Sequence, residues 1–244
     1  MRRCVALHAL IVVVAISSPG WTGLKECRAD ISLTDLFGKN NEATLTSGGL
    51  TFSFDKTDVL GSTFPMASAP TLDTVFVSTS GNAITFTFNP ALSVSGAAAQ
   101  NFDVTVIYTV TSDLPLYAAG LSFTGNVPAE IGNSSNPLAN SSVTKMLSDG
   151  VNLNVFMKND MNSVLSTQNN QSASLPDMPQ MLTVTDTGNL SIPVRGGGGT
   201  GSATLNSFTN TFSAVPEPSS LVVASVSALI GVGVWWRGRK REDA

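Results

Sequence analysis

Histidine, cysteine and tryptophan are nearly missing from this chain of 244 residues, and the few copies present all lie near its ends. His8, Cys4, Cys27 and Trp21 fall within the first 29 residues, and Trp235 and Trp236 within the last ten. Residues 30 to 215 contain none of the three. For that stretch the gap excludes histidine-based triads, thiol nucleophiles, His or Cys zinc sites and disulfides. Cations are scarce there as well: Lys39, Lys56, Lys145, Lys158 and Arg195 face thirteen carboxylates, a formal charge of five minus thirteen, or −8. A stretch this negative repels nucleic acid and anionic lipid, so no nucleic-acid partner is expected.

A sustained helical period is missing too, and a period of two takes its place. Phe102, Val104, Val106, Tyr108 and Val110 alternate with Asp103, Thr105, Ile107, Thr109 and Thr111, the pattern of a strand with one buried face. The same alternation runs through Leu50, Phe52 and Phe54, through Ile84, Phe86 and Phe88, and through Val151, Leu153, Val155 and Met157. Ser47-Gly48-Gly49, Ser80-Gly81-Asn82, Ser148-Asp149-Gly150 and Thr187-Gly188-Asn189 supply turn formers between such runs, with hairpins predicted at Ser80-Gly81-Asn82 and Asp149-Gly150. Residues 30–37 allow one helical turn capped by Ser32 or Thr34, or equally a strand or loop. The predicted fold is all-β, an antiparallel β-sandwich of jelly-roll or immunoglobulin-like topology. At about 186 residues the stretch is long enough for one substantial core. Exposed loops are predicted over the polar stretches 125–140 and 167–179, a flexible connector at Arg195 to Gly199, and a last strand around Ala203 to Phe212.

The two ends read as export signals. Arg2 and Arg3 precede an apolar stretch from Val5 to Ile16, the charged and hydrophobic regions of a secretory signal peptide. Cleavage after Ala29 assigns residues 1–29 to that signal, and a cut near Gly23 is the alternative. Leu24-Lys25-Glu26-Cys27 lacks the small residues of a lipoprotein site, and Arg2-Arg3 lacks the remainder of a twin-arginine motif. At the other end Val215-Pro216-Glu217-Pro218 leads into sixteen apolar or small residues, Leu221 to Trp236, and then into Arg237, Arg239, Lys240 and Arg241. As a helix that run reaches roughly 24 Å, short of the ~30 Å hydrocarbon core, so Ser219 and Ser220 are needed for a minimal span over 219–236. The basic cluster 237–241 holds the C-terminus on the cytoplasmic side, and the body before it lies outside. The prolines keep residues 215–218 extended and accessible.

This tripartite tail, residues 213–244, resembles the PEP-CTERM sorting signal of exported bacterial proteins. The resemblance implies processing by an exosortase after passage through the secretion machinery, transient anchoring in the membrane, and a setting of exopolysaccharide production. Its specific part covers about thirty residues. Gly49 to Phe52, Asp103 to Val110, Leu121 to Gly125 and Ser207 to Phe212 are also similar to the bodies of other members, which imply surface delivery and little chemistry.

The remaining candidates each have a plainer alternative. Gly196 to Gly199 lacks the lysine and opening helix of a phosphate loop and reads as a linker. Asp55 and Asp58 offer a carboxylate pair for glycoside hydrolysis or calcium, against the plainer reading of a solvated turn. Asp149 to Asn154 offers oxygen ligands, against a turn followed by a strand. Tyr108 shares a face with Val106 and Val110 and reads as core; Tyr117 is the better candidate for exposure, and Phe64 packs under a loop. The sequons at Asn133, Asn140, Asn170 and Asn189 read as polar loop chemistry. An enzymatic reading requires an acidic pair, or a serine with Lys145 or Lys158 as its base, and no spacing selects one.

The expectation is therefore a signal peptide at 1–29, a β-sandwich ectodomain at 30–212 and the sorting signal at 213–244. Catalytic residues, metal ligands and cofactors are not expected. Function is expected to be structural, at the cell envelope, surface or extracellular matrix and linked to exopolysaccharide and biofilm. The alternative is a polysaccharide-binding module, assisted by calcium.

Overall fold

The computed structural model describes residues 30–64, 69–96, 98–128, 139–159, 165–192 and 201–215. The predicted signal segment 1–29, the tail beyond Val215, Arg195 with Gly196 to Gly199, and residues 129–138 of the predicted loop 125–140 lie outside them.

In chain order the elements are β1 (Ile31–Ser32), α1 (Leu33–Phe37), β2 (Glu42–Ser47), β3 (Leu50–Asp55), β4 (Leu60–Ser62), β5 (Val75–Ser80), β6 (Ala83–Gly96) and β7 (Gln100–Ser112). They continue with β8 (Leu116–Asn126), β9 (Asn140–Leu147), β10 (Asn152–Asn159), β11 (Leu165–Gln168), β12 (Asn170–Ser174), β13 (Met181–Ile192) and β14 (Gly201–Ala214). Two antiparallel sheets result. One has six strands in the order β1-β5-β6-β14-β8-β12; the other has eight, β11-β10-β9-β13-β7-β3-β2, with β4 beside β3 against the same edge of β7.

The period-two runs become the long central strands. Val104, Val106, Tyr108 and Val110 of β7 are buried while the intervening residues face outward. Between the sheets, Phe52 and Phe54 of β3 and Tyr108 of β7 meet Phe86 of β6 and Phe212 of β14, with ring centroids 5.4 Å apart for Phe86 and Tyr108 and 6.2 Å for Phe52 and Phe212. Such tilted aromatic pairs make the centre of the sandwich a dry apolar layer. Phe64 stacks on Phe102 at 5.0 Å, as expected of a ring under a loop.

The hairpins at Gly81-Asn82 and Asp149-Gly150 form where the turn residues place them, and Gly48-Gly49 joins β2 to β3. Residues 30–37 take both options in turn, a two-residue strand at Ile31–Ser32 and one helical turn at Leu33–Phe37, with Ser32 as the cap: its Oγ accepts the Asp35 backbone N–H at 3.0 Å. Three expectations are corrected. Thr187-Gly188-Asn189 is not a turn but the interior of β13, paired on both sides. A glycine is needed there because a Cβ would come within 2.6 Å of Leu205 Cδ2 and 3.0 Å of Val104 Cγ1. Stretch 167–179 is not simply a loop: β11 closes one edge of the eight-stranded sheet and β12, one residue later, closes an edge of the six-stranded sheet. Edge strands need little apolar surface, which leaves their sequence polar and loop-like. The beginning of stretch 125–140 is likewise strand, since β8 runs to Asn126 and Val127 is buried.

Gly188→Ala is expected to destabilise the fold by about 1–3 kcal/mol, the range for forcing an extra methyl into a packed core. Equilibrium denaturant unfolding checks it. A midpoint unchanged from the parent chain would mean that the two sheets have slack at this position.

Candidate functional site

Two places in the sandwich carry polar chemistry, one inside and one outside. The inner one begins with strand parity. Ser141, Val143, Lys145 and Leu147 are the inward residues of β9, and Val184, Asp186 and Gly188 are inward on β13. Lys145 and Asp186 are register partners, so neighbouring strands of one sheet send an amine and a carboxyl to the same spot. From the opposite sheet β14 contributes Asn210, between Phe208 and Phe212 on its inward face. Lys145, Asp186 and Asn210 are each 0% exposed, and Tyr108 beside them is 2% exposed.

The bonds in this cluster are few. Asn210 Nδ2 donates to Asp186 Oδ2 at 2.6 Å. Lys145 Nζ donates to the Gly120 carbonyl at 3.2 Å and stands 4.0 Å from the centre of the Phe212 ring. Asp186 Oδ1, Asn210 Oδ1 and the Tyr108 hydroxyl have no hydrogen-bond partner among the described residues. The Tyr108 hydroxyl lies close enough to Asp186 to feel its charge without completing a hydrogen bond. Buried polar atoms in this state are costly, on the order of 1–3 kcal/mol each.

Burial dominates the ionisation of the cluster. It lowers Lys145 from 10.5 to about 8, against the opposing fields of Asp186 and, more weakly, Asp149. It raises Asp186 from 3.8 to about 7, against Lys145, Asn210 and Tyr108. Burial, reinforced by the Asp186 charge, also raises the Tyr108 phenol well above its ordinary value.

A pH dependence follows. Folded Asp186 holds its proton up to about 7 while the unfolded carboxyl releases it near 3.8, so its contribution is complete below 3.8 and is lost as pH rises through 7. A free Lys145 amine acts in the opposite sense: its contribution is complete above 10.5 and is lost as pH falls through about 8. The thermal midpoint of Asp186→Asn, compared with the parent from acid to neutral pH, is therefore expected to lack a falling limb that the parent has. Parallel curves would contradict the assignment.

Cluster burial also decides one sequence candidate. Lys145 is closed off inside the sandwich and offers no base to an outside substrate, while Lys158 is exposed, with its ammonium 5.1 Å over the Phe156 ring. Asp55 accepts the backbone N–H and hydroxyl of Thr57 at 2.9 and 2.7 Å, which lowers its pKa, and Asp58 stands exposed in the same turn. Asp149 likewise accepts the Val151 N–H at 3.1 Å and opens β10. The first segment is thus a turn and the second a turn followed by a strand, the plainer reading of each. Among the described residues no group of three or more His, Cys, Asp or Glu is placed to hold a metal ion. An open cleft edged by Pro70, Thr74, Pro90 and Ser93 has no ionisable lining. Of the predicted motif Val215 to Pro218 only Val215 is described; its N–H donates to the Pro115 carbonyl at 2.8 Å.

The outer place is the solvent face of the eight-stranded sheet. Its cross-strand rows read Thr105, Thr187, Thr144 and Asn154, then Asp103, Asn189, Ser142 and Phe156, across β7, β13, β9 and β10. Asn189 Nδ2 donates to Asn101 Oδ1 and Asp103 Oδ1, both at 2.7 Å, and its Oδ1 accepts from Asn140 at 3.5 Å. Asp103 and Lys158 are the ionisable groups on these four strands' outward positions. The sequence reading placed Asn140 and Asn189 in loops; both stand in strands, and their amides hold this face together. Tyr117, 43% exposed as expected, projects from β8 of the other sheet rather than from a loop, and Tyr108 is core, as its alternation with Val106 and Val110 indicated.

No family model and no curated protein matches the chain. Among solved structures, a xylan-binding module, CBM15, is similar at 14% identity and a TM-score of 0.29, over 72% of this chain and 98% of that one. TmCBM61 in complex with β-1,4-galactotriose is similar at 13% identity and a TM-score of 0.26, over 55% of this chain and 83% of that one. Xylanase10C from Cellvibrio japonicus, in complex with xylopentaose, is similar at 14% identity and a TM-score of 0.27; the match covers 70% of this chain and only 28% of the xylanase. Superpositions this weak carry no argument about ligand or activity.

Proposed function

We propose that this chain is an exported, non-catalytic protein of the cell surface or extracellular matrix whose sandwich presents a polysaccharide-binding face. The observation that carries the reading is the outer face of the eight-stranded sheet, with its rows of hydroxyls and carboxamides interrupted only by Asp103 and Phe156. Uncharged donors and acceptors at strand spacing suit the hydroxyls of a neutral polysaccharide, and such contacts require no catalytic group. Burial of Lys145 supports the non-catalytic part. The tail supports export: in this reading an exosortase recognises Val215, Pro216, Glu217 and Pro218, while residues 219–236 anchor the precursor and Arg237, Arg239, Lys240 and Arg241 set its orientation. Among the described residues no helix is long and apolar enough to cross a membrane, and the anchor segment lies outside them.

Affinity electrophoresis through gels containing neutral or uronic-acid polysaccharides, with and without calcium, tests the binding face. Retardation by a neutral polymer is expected, and Thr187→Arg, which sets a long cation among the rows, is expected to reduce the retardation about tenfold, a difference of about 1.4 kcal/mol. Mobility unchanged in every gel would leave a surface role without polysaccharide binding. Retardation only with calcium would move the site to carboxylates elsewhere on the body.

A further inference from the structure

We propose that Lys145 and Asn210 become covalently joined by an amide bond between Nζ and the side-chain carbonyl carbon Cγ, with Asp186 carrying the proton, so that the two sheets are locked across the core. The proposal stands on the inner cluster and is independent of the polysaccharide reading.

The cluster is unexplained as packing. An amine, a carboxyl and a carboxamide fill inward positions whose strand neighbours are Val143, Leu147, Val184, Phe208 and Phe212. Apolar side chains there would avoid the desolvation of two ionisable groups, and Lys145 closes no ion pair among the described residues to offset it. Three polar atoms around the cluster find no partner among the described residues. What the three side chains share is complementary reactivity: a nucleophile, an electrophile and a proton carrier, contributed by three strands to one dry compartment.

Geometry and environment suit the reaction. Lys145 and Asp186 face each other in register, and Asp186 touches the Asn210 carboxamide at 2.6 Å. Lys145 Nζ reaches across to the opposite sheet, where its acceptor Gly120 is the register partner of Thr211, next to Asn210, and where it meets the ring of Phe212, two residues beyond Asn210 on the same face. The amine thus already lies beside the strand that carries its target. Burial pushes the amine toward its neutral, nucleophilic form and the carboxyl toward its protonated form. Exclusion of water protects the carboxamide from hydrolysis, and fixed strands convert a slow bimolecular aminolysis into a positioned unimolecular one.

The step balances without any added reagent. The Nζ lone pair attacks Cγ, and the carbonyl π electrons move to Oδ1, while the Asp186 carboxyl stays against Nδ2, the group that will leave. As the tetrahedral centre collapses, the Cγ–Nδ2 bond breaks. A proton passes from Nζ through the Asp186 carboxyl to Nδ2, which leaves as ammonia. The products are a secondary amide and a regenerated Asp186 carboxyl; nothing is oxidised or reduced. The link joins β9 of one sheet to β14 of the other and closes a long loop, a constraint of the kind that disulfides supply in other exported proteins and that a cysteine-free body cannot make.

The test is a tryptic map of the purified full chain. Trypsin cannot cut after an acylated lysine, so the chain is expected to yield residues 57–158 uncut at Lys145 and joined to the peptide carrying Asn210, at their combined mass less one ammonia. Asp186→Asn, close in shape, is expected to restore cleavage after Lys145 and the full mass, and to lower the thermal midpoint. A wild-type chain that is folded by circular dichroism yet gives two separate peptides of unaltered mass overturns the proposal, and this reading needs no variant. A fully linked Asp186→Asn chain overturns the role given to Asp186. In the linked protein the alkaline stability limb of a free Lys145 is also absent, because its nitrogen has become an amide.

Discussion

Val106→Asp is expected to abolish folding, while Thr105→Asp one position earlier leaves a folded protein. Val106 is fully buried on the inward face of β7 and pairs with Asp186 of β13 on one side and Leu60 of β4 on the other. A carboxylate there is removed from water and set opposite a second carboxyl. The cost is several kcal/mol, comparable with the ~5–15 kcal/mol stability of a whole domain. Thr105 belongs to the outward set and pairs with Thr187 and Gly61, so its replacement meets solvent and costs at most about 1 kcal/mol. Thermal unfolding followed by far-ultraviolet circular dichroism separates the two variants. Equal damage from both would mean that the outer face of β7 is covered in solution, by a second copy or by a segment outside the described residues.

Replacing Pro216, Glu217 and Pro218 by alanine is expected to trap the whole population as a membrane-retained precursor. In the proposed function these residues form the strip that an exosortase reads, whereas the apolar run and the basic cluster alone suffice for insertion and orientation. Truncation after Val215 removes the anchor together with the motif and is expected to release the body into the medium. Mass spectrometry of the mature C-terminus from the native host decides. Finding Arg237 to Ala244 still attached to the mature protein would reduce the tail to an ordinary single-span anchor.

The central strands were legible because burial in a sheet imposes a period of two on each strand by itself. Tyr108 could be placed in the core from Val106 and Val110 alone, and the turns at Gly81-Asn82 and Asp149-Gly150 from their own residues. An edge strand such as β12 escapes notice because none of its residues is buried, so it leaves no pattern. Gly188 misled for the opposite reason. A glycine chosen for a turn and one chosen because Leu205 and Val104 crowd it look alike in sequence.

The inner cluster was half visible. Lys145 and Asp186 occupy inward positions whose strand neighbours are apolar apart from Ser141 and Gly188, an anomaly readable from the alternation, whereas the alternation alone does not bring Asn210 to them. By itself the sequence determined the all-β class, the inward set of each long strand, the negative charge of the body and its lack of disulfides. Only the tertiary structure decided which strands are neighbours, and therefore that Lys145, Asp186 and Asn210 share one compartment and that the outward threonines and asparagines form rows. Alternation is a local property that every strand carries in its own residues. Pairing is a choice among strands far apart in the chain, and it is settled by how two whole sheets fill the space between them.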